Sequence, residues 1–146
     1  MHKSFEPAYS ARRAHSEHGR SEACRESGLR GARVLVAEDE ALVAMTLLDL
    51  VEDAGAEPLG PFARVSDCRS ALDDTTPDLA ILDVRLRDGE SFGIAEKLVE
   101  RGVPIVFHSG HLAEKEWYGP VDRVRFCSKP CAPKKLTEIL EDMLTA

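Results

Sequence analysis

No run of apolar residues in this chain approaches the roughly 20 needed to cross a bilayer. The N-terminus has no continuous apolar stretch behind a basic start, so no secretory leader is expected. A clustered basic face is also missing. Lys and Arg number 19 against 26 Asp and Glu, a formal net charge of −7. That balance disfavours nucleic acid and anionic membranes as partners. No glycine-rich loop follows the first apolar run, which argues against a nucleotide-phosphate cradle. Internal repeats are absent. Cysteine is scarce: Cys24, Cys68, Cys127 and Cys131 fit neither a disulfide framework nor a CxxC pair. Cys127 and Cys131 lack the two further ligands that a metal site would need. Reduced thiols in a cytoplasmic protein are the expectation.

What is present suffices for one domain. The chain has 146 residues, 43% of them hydrophobic, enough to bury a core. Residues 1–31 stand apart, with almost no aliphatic side chains before Leu29 and a net charge of +2, leaving −9 for the rest. Such a segment cannot bury enough apolar surface to offset its ordering entropy, so it reads as a flexible extension. Its histidines, His2, His15 and His18, have no acidic or cysteine cluster beside them and are expected to be solvated.

From residue 32 onward, short apolar runs alternate with amphipathic stretches. Residues 33–37 (RVLVA) read as a buried strand. Val43, Leu47, Leu50, Val51 and Ala54 have helical spacing, and Gly55 suits the helix end. Residues 57–61 form a weak strand. Its prolines, Pro58 and Pro61, lack the ladder donor and place it at a sheet edge. Val65, Cys68, Ala71 and Leu72 mark a second helix, ending before Pro77. Residues 79–84 (LAILDV) are a buried strand. Phe92, Ala95, Leu98 and Val99 mark a third helix, stopped by Gly102. Residues 104–108 and 123–127 are further strands, with a short, weakly helical stretch over 111–118 between them. Pro133 suits the first position of a last helix, whose stripe is Leu136, Ile139, Leu140, Met143 and Leu144. Continuous apolar strands with helical crossovers imply a doubly wound α/β fold, a five-stranded parallel sheet with helices on both faces.

In such a sheet, ligands bind beyond the carboxyl ends of the strands. Glu38, Asp39 and Glu40 follow the first strand, and Asp83 ends the third. Ser109 and Gly110 follow the fourth; Ser128, Lys129 and Pro130 follow the fifth. Each has an ordinary explanation: Asp39 as a helix cap, Ser109 as a turn residue, Lys129 as a solvated charge. Asp83 is harder to explain that way. It sits inside an apolar run, and an ionised carboxylate there needs compensation from a cation or from Lys129.

These segments resemble the receiver family of response regulators over roughly residues 32–146. The resemblance is carried by VLVAEDE at 34–40, LAILDVRLRDGES at 79–91, PIVFHSG at 104–110 and CSKPCAPKKL at 127–136. It implies a flavodoxin-like strand order of 2-1-3-4-5, with Asp83 as phosphoacceptor. Glu38 and Asp39 would be the acidic pair, Asp39 a direct Mg²⁺ ligand, and Arg85 the donor of a metal-binding backbone carbonyl. Ser109 would follow the phosphoryl group, Lys129 would pair with its oxygens, and the Lys129–Pro130 bond would be cis. Phe126 falls at the position of a switch aromatic. Arg85 and His111 fall where side chains tune the lifetime of the phosphoryl group. A histidine kinase or phosphotransfer protein would be the donor, with Mg²⁺ as cofactor. The chain would be a signalling domain rather than an enzyme, acting through protein contact or onward transfer, since no output domain follows the last helix.

This sequence departs from the usual receiver pattern at Glu38, where Asp is commoner, and at Arg87, where proline is frequent. The stretch from Ser109 to Lys129 is short. Two rivals share parts of the pattern. A phosphohydrolase of the haloacid dehalogenase kind would want a second acid two residues past Asp83, where Arg85 stands. A pseudo-receiver would be a binding module without phosphorylation, and the set Asp39, Asp83, Ser109 and Lys129 argues against it.

Overall fold

The computed structural model describes residues 28–110 and 116–145. The central sheet takes strands β1 (Arg33–Ala37), β2 (Glu57–Phe62), β3 (Leu79–Leu82), β6 (Ile105–Ser109) and β7 (Val124–Ser128) in the order β2-β1-β3-β6-β7. All four pairings are parallel. Counting only these five strands, the order is 2-1-3-4-5, as expected. Helices α1 (Ala41–Asp53), α2 (Val65–Asp74), α3 (Phe92–Glu100) and α4 (Pro133–Thr145) provide the crossovers and the last layer.

Alternation along the strands assigns the two faces. Leu35, Ala80, Leu82, Ile105 and Phe107 pack toward α2 and α3. Val34, Val36, Leu79, Ile81 and Val106 pack toward α1 and α4. Both faces are covered, which is why the strands read as continuous apolar runs rather than as alternating ones. β2 lies at the edge, where its prolines cost no ladder bond. Gly60 in that strand has φ +117, and a Cβ there would lie 2.7 Å from the Val36 carbonyl oxygen. Only glycine fits so close a backbone approach. Gly55 follows α1 with φ +83, the left-handed conformation that glycine accepts readily after a helix.

Several expectations need correction. Cys127 and Cys131 are joined in a disulfide rather than held as free thiols. The step from the end of β7 into the next turn brings their Cα atoms to 6.2 Å, within bridging range, a proximity that spacing alone does not reveal. Cys68 is free and buried, as expected. Leu29, assigned by sequence to the extension, is fully buried against the α1–α4 face. Gly31 and Ala32 are also tied into turns, so the folded part begins before residue 32. Residues 1–27, most of the proposed extension, lie outside the described residues, as do His111 and most of the weakly helical stretch at 111–118. The third strand ends at Leu82, and a two-stranded hairpin of β4 (Arg85–Leu86) and β5 (Gly89–Glu90) follows, with no counterpart in the sequence reading.

Candidate functional site at the carboxyl rim of the sheet

Backbone hydrogen bonds carry the sheet ladder one step past the strand ends and fix where the rim residues start. The Glu38 N–H donates to the Phe62 carbonyl at 2.9 Å, that of Asp83 to Ala37 at 2.8 Å, and that of Lys129 to Ser109 at 2.8 Å. Because β1 lies between β2 and β3, Glu38, Asp39 and Asp83 come together. Each offers a ligand oxygen, and these atoms lie within 4.8 Å of one another. Carboxylates so close repel unless a cation or a proton intervenes.

Lys129 reaches this cluster from the far side of the rim. Its Nζ lies 3.0 Å from Asp83 Oδ2, 3.0 Å from Glu38 Oε1 and 3.2 Å from Glu40 Oε1. The side chains of Glu38 and Asp83 are 0% and 9% exposed, and that of Lys129 16%. Charge contacts are strongest in such low-dielectric surroundings. Burial opposes the Lys129 ammonium, but hydrogen bonds to Glu38 and Asp83 outweigh it and hold its pKa above the ordinary lysine value. Burial raises Glu38, Lys129 lowers it, and neighbouring Asp83 raises it further, so that it is pushed up to about 7.

The other expected site residues take varied positions. Ser109 ends β6, is buried, and pairs in register with Ser128. Phe126 is half-buried in β7 and stacks on Phe107 with ring centroids 5.6 Å apart. Phe107 in turn lies 5.4 Å from Trp117. Arg85 opens the short hairpin, and its exposed guanidinium pairs with Glu90 at 3.2 Å and Glu116 at 3.6 Å. The Lys129–Pro130 peptide is cis.

Sequence reading assigned no role to three residues that shape this rim. Glu40 shares the Lys129 ammonium. Ser91, fully buried, donates its hydroxyl to the Asp83 carbonyl at 2.7 Å and holds the backbone where β3 ends. Asp88 accepts from the N–H groups of Val65 and Ser66 and so caps α2 from a distant loop. Those hydrogen bonds, Val65 foremost, hold its carboxyl below the usual aspartate range. Only the SxxE-like local patterns are visible in a sequence; caps supplied from 22 and 23 residues away are not.

The sheet order and the acid-and-lysine rim define the flavodoxin-like class of doubly wound domains, with the site at the topological switch between β1 and β3. The model of the response regulator receiver domain matches residues 34–141, and the chain belongs to that family. A curated relative, the transcriptional regulatory protein PdtaR of Mycobacterium tuberculosis, is 32% identical over 75 residues; the match spans 51% of this chain and 37% of PdtaR. Among solved structures, SdrG from Sphingomonas melonis Fr1 is 30% identical with a TM-score of 0.66, covering 82% of this chain and 99% of SdrG. The receiver domain of PhyR from Erythrobacter litoralis has a TM-score of 0.72 at 21% identity, covering 82% of this chain and 94% of that one, a likeness of fold. No described helix is long and apolar enough to cross a membrane.

Proposed function

We propose that this receiver accepts a phosphoryl group on Asp83 from a histidine kinase or histidine phosphotransfer protein, and signals by protein contact or onward transfer. The observation that carries the proposal is a buried Asp83 carboxylate held 3.0 Å from the Lys129 ammonium, with two further carboxylates beside it. An Asp83 oxygen attacks phosphorus while the bond to the donor breaks, giving an aspartyl phosphate. Lys129 then pairs with the phosphoryl oxygens and offsets their charge. The Ser109 hydroxyl donates to another of those oxygens. Phe107, two residues earlier on the same face of β6, passes any movement of Ser109 to the stacked Phe126.

The donor set suits Mg²⁺, because the clustered oxygens of Glu38, Asp39 and Asp83 are hard ligands. Asp39 and Asp83 would hold it directly, Glu38 partly through water, and Arg85 through its backbone carbonyl. Bound there, Mg²⁺ neutralises carboxylate and phosphoryl charge. In the receiver pattern, Arg85 and His111 would set how long the phosphoryl group lasts. The Arg85 guanidinium would take that part by giving up its pairing with Glu90 and Glu116. Residues 1–27 would be dispensable for phosphorylation, and the compartment cytoplasmic.

The test is incubation with acetyl phosphate, with Mg²⁺ or with a chelator, followed by intact-mass analysis. Incorporation is expected only with the cation. It should be nearly lost in Asp39→Ala and reduced less in Glu38→Ala. Equal incorporation with and without the cation contradicts the site.

A further inference from the structure

The disulfide between Cys127 and Cys131 encloses Ser128, Lys129 and Pro130. Cys127 lies in β7 and packs in the apolar layer against α4. Cys131 is in the turn that follows and is partly exposed. The ring therefore closes around the residue whose ammonium touches Glu38, Glu40 and Asp83. A bridge across a sequence separation of 4 removes little entropy from an unfolded chain, so it is a poor staple. Its effect is local, restraining the backbone on both sides of Lys129. In a reducing compartment, bonds of this kind are transient and redox-sensing rather than structural.

A second observation lies across the strand pair. His108 is the register partner of Cys127, and parallel partners project to the same face about 4.8 Å apart. The His108 imidazole is buried, and its Nδ1 has no hydrogen-bond partner among the described residues. Burial, helped by Lys129 and opposed by Asp83, holds its pKa below the usual histidine value, so the ring is neutral and can take up a proton only in passing. Cys68 is a contrast within the same chain. It sits on the buried face of α2 and its thiol is pushed up to about 12 by burial, which keeps it inert.

We propose that Cys127 and Cys131 are a redox-active dithiol–disulfide pair, closed by peroxide and opened by cellular dithiols, that holds or releases Lys129 at the phosphoacceptor rim. In the closing reaction the more accessible Cys131 thiolate attacks a peroxide oxygen. The O–O bond breaks, hydroxide leaves and takes up a proton, and Cys131 becomes a sulfenic acid. The Cys127 thiolate, its proton passed to His108, attacks that sulfur. The S–S bond forms, the S–O bond breaks, and the oxygen departs as water with the proton from His108. Two thiols are oxidised and one hydrogen peroxide is reduced to two waters. Reopening is thiol–disulfide exchange with a dithiol, through a mixed disulfide. The effect on phosphorylation rests on the phosphoacceptor reading, but the thiol chemistry and the movement of Lys129 do not.

The experiment uses the full chain carrying Cys24→Ser, which removes the thiol that lies outside the described residues. The protein is treated with stoichiometric hydrogen peroxide or with excess dithiothreitol, and the disulfide is mapped by peptide mass. Lys129 is then probed by acetic anhydride labelling, and phosphorylation by acetyl phosphate with Mg²⁺. The Cys127–Cys131 bond should form and open reversibly. Opening should raise Lys129 labelling several-fold and slow phosphorylation about tenfold, as loosened positioning of a catalytic group does. Cys131→Ser should behave as the open form under both treatments. Lys129 labelling that is the same in both redox states, or a redox response that survives in Cys131→Ser, overturns the proposal. If Lys129 labelling responds but no phosphoryl group enters in either state, the phosphoacceptor reading fails and the redox pair stands.

Discussion

Both ends of the central sheet carry ion pairs, and their surroundings differ. Where the strands begin, Arg33 meets Glu57 at 3.3 Å with side chains 53% and 49% exposed. The Arg33 N–H also donates to Asp78, and its guanidinium to Thr75. Where the strands finish, Lys129 meets Asp83 and Glu38 at 3.0 Å with those carboxylate side chains 9% and 0% exposed. The first set lies in a high dielectric, where attraction is screened and barely exceeds the cost of ordering long side chains. The second has exchanged hydration for fixed partners, at a cost in stability that the fold bears elsewhere. An excess of acids gathered around one largely buried lysine is a poor way to hold a protein together, and would suit a cation and a phosphoryl group. The comparison separates an end that tidies strand termini from an end prepared for chemistry.

The largest expected effect comes from removing the buried cation. Lys129→Ala should slow phosphorylation of Asp83 by about 10²- to 10³-fold, the usual cost of losing one preorganised charge donor. Lys129→Arg should recover little, because a planar fork does not replace a compact ammonium. Time courses with acetyl phosphate measure both, and near-wild-type rates in Lys129→Ala would erase the distinction between the two ends.

A smaller effect concerns pH. In the metal-free protein Glu38 titrates at about 7 instead of 4.5, because burial and Asp83 outweigh Lys129. Between those values the folded chain holds more protons than the unfolded one, so stability falls as pH rises through that window. Denaturant titrations at a series of pH values should show the fall. Glu38→Gln should flatten it, and added Mg²⁺ should oppose it at the upper end.

The smallest effect belongs to the exposed end. Arg33→Ala should cost no more than about 1 kcal/mol of stability and leave phosphorylation unchanged. A larger loss, measured by thermal or denaturant unfolding, would mean that the exposed end is not the passive one.

The strands and the acid-and-lysine rim were legible in the sequence for a physical reason, whereas the strand order came with the family resemblance. Strands buried on both faces leave uninterrupted apolar runs, and the rim residues stand immediately after them. Asp83 stood out because it interrupts such a run. Other features depend on chain segments that meet only after folding. The β4–β5 hairpin spans too few residues to show a period. Ser91 matters because its hydroxyl reaches the carbonyl of Asp83, and Glu40 because Lys129 arrives from the other end of the chain. Leu29 sits in a polar stretch that gives no pattern, although its side chain completes the α1–α4 layer. The Cys127–Cys131 bridge was missed because its spacing matches no framework and only the turn after β7 closes the gap.

The most direct measurement is the location of the phosphoryl group itself. Protein phosphorylated by a cognate histidine kinase with Mg²⁺ can be reduced with borohydride, which converts an aspartyl phosphate to homoserine, and then digested and sequenced by mass spectrometry. The account predicts homoserine at position 83 alone, and no incorporation into Asp83→Asn. Label at any other residue, or undiminished label in Asp83→Asn, would contradict it.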